Sequence, residues 1–196
     1  MEILEKIFGG LSKIKIMKLF IFNPAFIFDL ETVCLKAESK PKQTTKDLIV
    51  LQKIGLIKKK DTKNKAGKKV RGYILDTTFV YLPAFKDFLL QVLPFSNEEI
   101  VKKFERAGKV KAVAVSGVFL NNEDSRIDLL VVGDRFNKNI LSKVIQEIES
   151  GLGREIKFTH LESKDFIYRM EVRDKLIRDM FDYSHRIIFD KMGIQP

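Results

Sequence analysis

Two periodicities divide the chain. Over residues 11–22 apolar side chains recur near helical spacing at Leu11, Ile14, Met17, Leu19 and Phe20, with Lys13, Lys15 and Lys18 on other faces. This predicts an amphipathic helix that stops before Asn23-Pro24. A second helix is predicted over residues 29–37, with Asp29 as N-cap and Leu30, Val33 and Cys34 on one side. The third runs from about residue 40 to residue 54. Pro41 is tolerated in its first turn, Leu48, Leu51 and Ile54 form the stripe meant for the core, and Gly55 takes the C-cap position. The period then changes. Residues 56–60 read as a strand, residues 61–67 as a polar turn, and residues 68–75 as a returning strand in which Val70, Gly72 and Ile74 alternate with Arg71 and Tyr73. Helical spacing resumes over residues 77–93, with Pro83 at N1. The apolar side of this helix, Leu82, Phe85, Phe88, Leu89 and Val92, needs cover from its own domain or from a second copy of the chain.

Pro94-Phe95 reads as a domain boundary. Ser96 with Glu99 forms a capping box that starts a helix reaching Ala107. Two runs rich in β-branched residues follow, 110–115 and 127–132, bounded by Gly117, Asn121, Asn122 and Gly133. Such runs predict a buried strand pair at the centre of a sheet. Asn137 then caps a helix that turns Ile140, Leu141, Val144, Ile145 and Ile148 to the sheet and ends at Gly151 and Gly153. A third strand is predicted over residues 155–161. Phe166, Met170, Leu176, Ile177, Met180 and Phe181 build two short helices, and residues 186–189 form a last strand. The expectation is an α/β chain of two domains, residues 1–94 and 95–196.

Charge is distributed unevenly between these halves. The 196 residues carry a formal net charge of +10, and residues 36–71 alone hold thirteen Lys and Arg against three Asp and Glu. A basic excess gathered in one stretch points to a polyanionic partner for the first half. The single cysteine, Cys34, excludes an intramolecular disulfide and fits a reducing compartment. The N-terminal stretch MEILEKIFGG lacks the long apolar core of a signal peptide. The most apolar region, residues 14–30, is interrupted by Lys15, Lys18, Pro24 and Asp29, which argues against a membrane span. A cytoplasmic protein is expected. His160 and His185 have neither a cysteine partner nor ligand spacing, so no zinc site is predicted. Neither a G-x-x-x-x-G-K-[ST] nor a G-x-G-x-x-G loop occurs, and no cofactor is expected.

The turn between the two central strands, from Gly117 through Ser125 to Arg126-Ile127-Asp128, resembles the active-site turn of the nucleotidyltransferase superfamily in its minimal form. That resemblance implies a Gly-Ser turn holding nucleotide phosphates and an Asp-x-Asp holding two magnesium ions. Here Gly117 occupies the glycine position, but Val118 replaces the serine and Arg126 replaces the first aspartate. Asp128 remains. Lys157 stands where the resemblance places the third carboxylate. A cation in such a cluster opposes a divalent ion by roughly 8 kcal/mol at about 4 Å and an effective dielectric of about 20, before screening. The fold is expected to be kept and the chemistry lost, with no catalytic residue and no metal. Arg126 is expected to neutralise Asp128, whose remaining role is to cap the turn through backbone N–H groups. The closing segments EIKFTHL, KDFIYRM, KLIRDMF and HRIIFDKMG resemble the end of nucleotidyltransferase domains fused behind a winged helix.

Three helices followed by a β-hairpin, with the junction LQKIGLIKKK, resemble the winged-helix transcription regulators. On this reading the third helix enters the major groove of double-stranded DNA. Gln43 and Thr45 then meet base edges, while Lys42, Lys46 and Lys53 contact phosphate. The hairpin adds Lys63, Lys65, Lys68, Lys69 and Arg71 along the backbone or in the minor groove. The expected fold is an N-terminal winged helix-turn-helix joined to a C-terminal nucleotidyltransferase-like α/β sheet domain. The expected function is a sequence-specific DNA-binding regulator whose second domain serves dimerisation or sensing. An active nucleotidyltransferase of the toxin and antitoxin type and an RNA-binding adaptor are the alternatives. A homodimer and a small-molecule or nucleotide effector stay open.

Overall fold

A computed structural model of the chain describes residues 2–63, 67–92, 94–122 and 125–194, the side chains of residues 2–4 and 63 excepted. Over the described residues the chain is an α/β protein with a three-stranded and a four-stranded sheet. It forms two compact units, residues 1–94 with 147–155 and residues 95–146 with 156–196. The assignment of 147–155 to the first unit carries no local signal in the sequence.

The first unit is built from α1 (Glu2–Phe8), α2 (Leu11–Phe22), β1 (Phe28–Asp29), α3 (Leu30–Ala37), α4 (Pro41–Lys53), β2 (Ile57–Lys63), β3 (Lys69–Leu75) and α5 (Leu82–Gln91). Its centre is α2, which contacts α1, α3, α4 and α5. Every residue of α2 from Ile16 to Ile21 is buried, so the helix is enclosed rather than amphipathic, and Lys18 lies inside instead of facing solvent. Asp29 caps α3 by accepting the Thr32 N–H. Leu48 and Leu51 of α4 reach the core. Ile54 does not: the helix ends at Lys53 and Ile54, its C-cap, is half exposed. The sheet runs β1-β3-β2 and is antiparallel throughout. Two-residue β1 is too short to leave a period-2 signature, and it pairs with β3 at Phe28↔Tyr73 and Asp29↔Gly72. α5 begins five residues later than predicted, because the Asp76 carboxylate accepts from the Thr78 N–H and hydroxyl and holds a turn there. Leu89, with the partly buried Leu82 and Phe85, packs into the core of its own unit, while Phe88 stays 41% exposed.

The second unit runs α6 (Asn97–Glu105), β4 (Lys109–Ser116), a 3₁₀ turn (Gly117–Leu120), β5 (Leu129–Asp134), α7 (Lys138–Leu152), β6 (Phe158–Leu161), α8 (Ser163–Glu171), α9 (Lys175–Phe181) and β7 (His185–Asp190). The last six residues of α7, 147–152, belong to the first unit. Sheet order is β6-β5-β4-β7, with β5 and β6 parallel and the other pairs antiparallel. β4 and β5 are the two central strands, and their continuous Val, Ala and Leu runs suit strands covered on both faces. Ala112, Ala114, Leu130 and Val132 meet Phe166, Ile177 and Met180 of α8 and α9. Ser96 and Glu99 form the reciprocal capping box at the start of α6. Gly151 stays inside α7, and Gly153, at φ 77°, follows its end.

Candidate nucleic-acid interface

The buried side of α4 is set by Thr44, Asp47, Leu48 and Leu51, spaced three and four residues apart. The opposite side, with Lys42, Gln43, Thr45, Lys46, Ile49, Val50 and Lys53, is exposed. Both predicted base readers already make hydrogen bonds within the helix. Gln43 Nε2 donates to Asp47 Oδ1 at 3.0 Å, and Thr45 Oγ1 donates to the Pro41 carbonyl at 2.8 Å. Each keeps capacity for a further partner, since an amide retains its oxygen and a second N–H, and a hydroxyl retains its lone pairs.

The hairpin of β2 and β3 carries cations on both faces. Ile57, Leu75, Tyr73 and Phe28 share the face turned to the core. Beyond Tyr73 the positions of that same face become Lys59, Asp61, Lys63, Arg71 and Lys69, while Lys58, Lys60 and Thr62 occupy the other. On the core-turned face apolar residues thus stop halfway along the ribbon, whereas the opposite face keeps Ile74 and, near the tip, Val70. Lys68, Lys69 and Arg71 are exposed, and Arg71 stands opposite Asp61. Lys65 and the side chain of Lys63 lie outside the described residues. Lys58, Lys59 and Lys60 were not among the expected contacts, although strand alternation in LIKKK already places them on both faces. Gly72 permits the close sheet: a Cβ there would lie 2.7 Å from Ile27 Cγ2 and 3.0 Å from the Phe28 carbonyl oxygen.

In the second unit, the turn after β4 brings together Gly117, Val118, Asp128 and Lys157. Asp128 is 4% exposed. Its Oδ1 accepts the Val118 N–H at 3.0 Å and its Oδ2 accepts the Lys157 N–H at 2.7 Å, so both oxygens are held by backbone donors. Gly117, at φ 52°, is required by this arrangement, since a Cβ would lie 1.8 Å from Asp128 Oδ1. The Lys157 ammonium turns to the Ser125 carbonyl at 2.6 Å. Arg126 does not neutralise Asp128. It is half exposed and pairs with Asp179 of α9 at 2.7 Å. The expected charge pairing is corrected for a physical reason: a buried carboxylate already satisfied by two N–H groups needs no cation, and a long arginine finds a partner at the surface. Two serines complete the turn, with Ser116 and Ser125 hydroxyls 2.9 Å apart, next to the Ser184 and Ile127 carbonyls. Among the described residues no group of three or more His, Cys, Asp or Glu side chains is arranged to hold a metal ion, and no helix is long and apolar enough to cross a membrane. No family model, no curated protein and no solved structure matches this chain.

Proposed function

We propose that the protein is a sequence-specific DNA-binding transcriptional regulator. In this reading the first unit is a winged helix-turn-helix, with α4 entering the major groove and the β2–β3 hairpin acting as the wing. The second unit is a nucleotidyltransferase-like module without catalysis that serves dimerisation or sensing. The observation that carries the reading is the pairing, in one unit, of an exposed α4 face bearing Lys42, Lys46 and Lys53 with a ribbon that carries Lys59, Lys69 and Arg71 on one face and Lys58 and Lys60 on the other. Lysines on two such elements can follow a phosphate backbone while Gln43 and Thr45 address base edges. The engaged state of Asp128 supports the non-catalytic reading, because two-metal phosphoryl chemistry needs carboxylate oxygens free to hold cations.

The test is a salt titration of binding to duplex fragments from the gene's own promoter region. Five to eight phosphate contacts give a slope of log K against log salt of roughly −5 to −7. Replacing Lys65, Lys68 and Lys69 together by Ala should reduce its magnitude by about 3, at roughly 0.9 per lost contact. A triple variant with unchanged affinity and slope would refute the wing. Preference for single-stranded RNA over any duplex would favour the RNA adaptor instead. Transfer of label from a nucleotide to protein or RNA would overturn the non-catalytic assignment.

A further inference from the structure

We infer that Asp47 is a positioning residue that fixes the Gln43 amide with its carbonyl oxygen outward, directing the α4 face to a base with a major-groove amine, adenine above all. This inference rests on the DNA-binding reading of α4. Asp47 lies one helical turn after Gln43 and is 3% exposed, whereas Gln43 is at the surface. Gln43 Nε2 donates to Asp47 Oδ1 at 3.0 Å, and Oδ2 has no hydrogen-bond partner among the described residues. Among the described residues a buried carboxylate thus has the exposed amide as its single side-chain partner.

The orientation follows from the chemistry of the two groups. A carboxylate accepts hydrogen bonds and does not donate them, so turning the amide over would set two acceptors against each other in a buried place. Held by one N–H, Gln43 keeps Oε1 and the second N–H for a ligand. Adenine offers a donor at N6 and an acceptor at N7, which matches that pair. Guanine offers acceptors at both O6 and N7, and the outward Oε1 would face O6. Gln43 is the third residue of α4, within the N-terminal part of a groove-binding helix that meets base edges. Without the carboxylate, an exposed glutamine amide can present either end.

The experiment selects duplexes from a random library with the full chain and then measures competition between duplexes that differ at single base pairs. The wild type should prefer adenine over guanine by about tenfold at one base pair, and Gln43→Ala should abolish the preference there and nowhere else. Asp47→Asn can donate to Oε1 and so lets the amide turn over. It should bring the adenine to guanine ratio towards one while leaving the salt slope unchanged, a readout that loss of packing alone would not move. Should that variant fail to fold, the wild type decides: replacing the adenine by purine, which lacks the N6 amine, should cost the same factor of about ten. The inference is overturned if Gln43→Ala relaxes a position that carries guanine on the contacted strand, if Asp47→Asn keeps the ratio, or if purine binds like adenine. If no duplex is selected at all, the DNA-binding reading falls and takes the inference with it.

Discussion

Lys18 lies on the central helix of the first unit with 1% of its surface exposed, and its ammonium donates to the Val92 carbonyl at 3.1 Å. Burial pushes its pKa down from 10.5 to about 8. The folded state therefore binds this proton less tightly than the unfolded chain, and stability rises as pH climbs from about 8 to about 10.5. Below that window the buried charge costs about 3 kcal/mol, at 1.36 kcal/mol per pKa unit. Lys18→Met should raise the unfolding free energy at pH 7 by about 2 kcal/mol after loss of the Val92 hydrogen bond, and by little at pH 10.5. Denaturant melts of both proteins at the two pH values measure this difference. Gly117 makes the opposite case. With a Cβ position only 1.8 Å from Asp128 Oδ1, Gly117→Ala should lower stability by about 3 kcal/mol, because the new methyl displaces a carboxylate bound to two backbone donors.

Element ends in this chain follow local chemistry. The Ser96–Glu99 box at α6 and the Asp29 cap at α3 both satisfy backbone N–H groups across three residues, so each was legible in the sequence. Ser96→Ala should cost about 1 kcal/mol in a chemical melt. The hairpin was legible in type but not in extent. β2 continues to Lys63 where a turn was expected, because register with β3 extends the pairing through Asp61↔Arg71 and Thr62↔Val70. Gly72 lies where neighbouring atoms crowd that sheet, a Cβ there falling within 3.0 Å of three of them. Gly72→Val should cost about 1 to 3 kcal/mol, since Ile27, Thr62 and the Phe28 carbonyl leave no room for a side chain, and thermal unfolding reads the loss.

At the scale of the whole molecule, a ligand stabilises a fold only as far as the folded state binds it. Asp128 is occupied by backbone donors and Lys157 places an ammonium against the same turn, so millimolar magnesium with ATP should move the melting temperature by less than about 1 °C. A magnesium-dependent rise of several degrees would contradict that. The order of the elements from α2 onward, β1 excepted, the Asp29 and Ser96–Glu99 caps and the concentration of positive charge in residues 36–71 were determined by the sequence itself, because periodicity, i to i+3 capping and charge act over a few neighbouring residues, whereas α1 and the Ile54 C-cap were not foreseen. The Gln43–Asp47 pair is equally local, at i to i+4, and could have been read from the chain. Tertiary structure alone decided that Lys18 is interior, that β1 forms at all, that Arg126 meets Asp179 and that Asp128 is held by Lys157. Each of these depends on residues many positions apart, and a side chain's partner at such a distance is chosen by which elements pack together and by what burial costs its polar atoms.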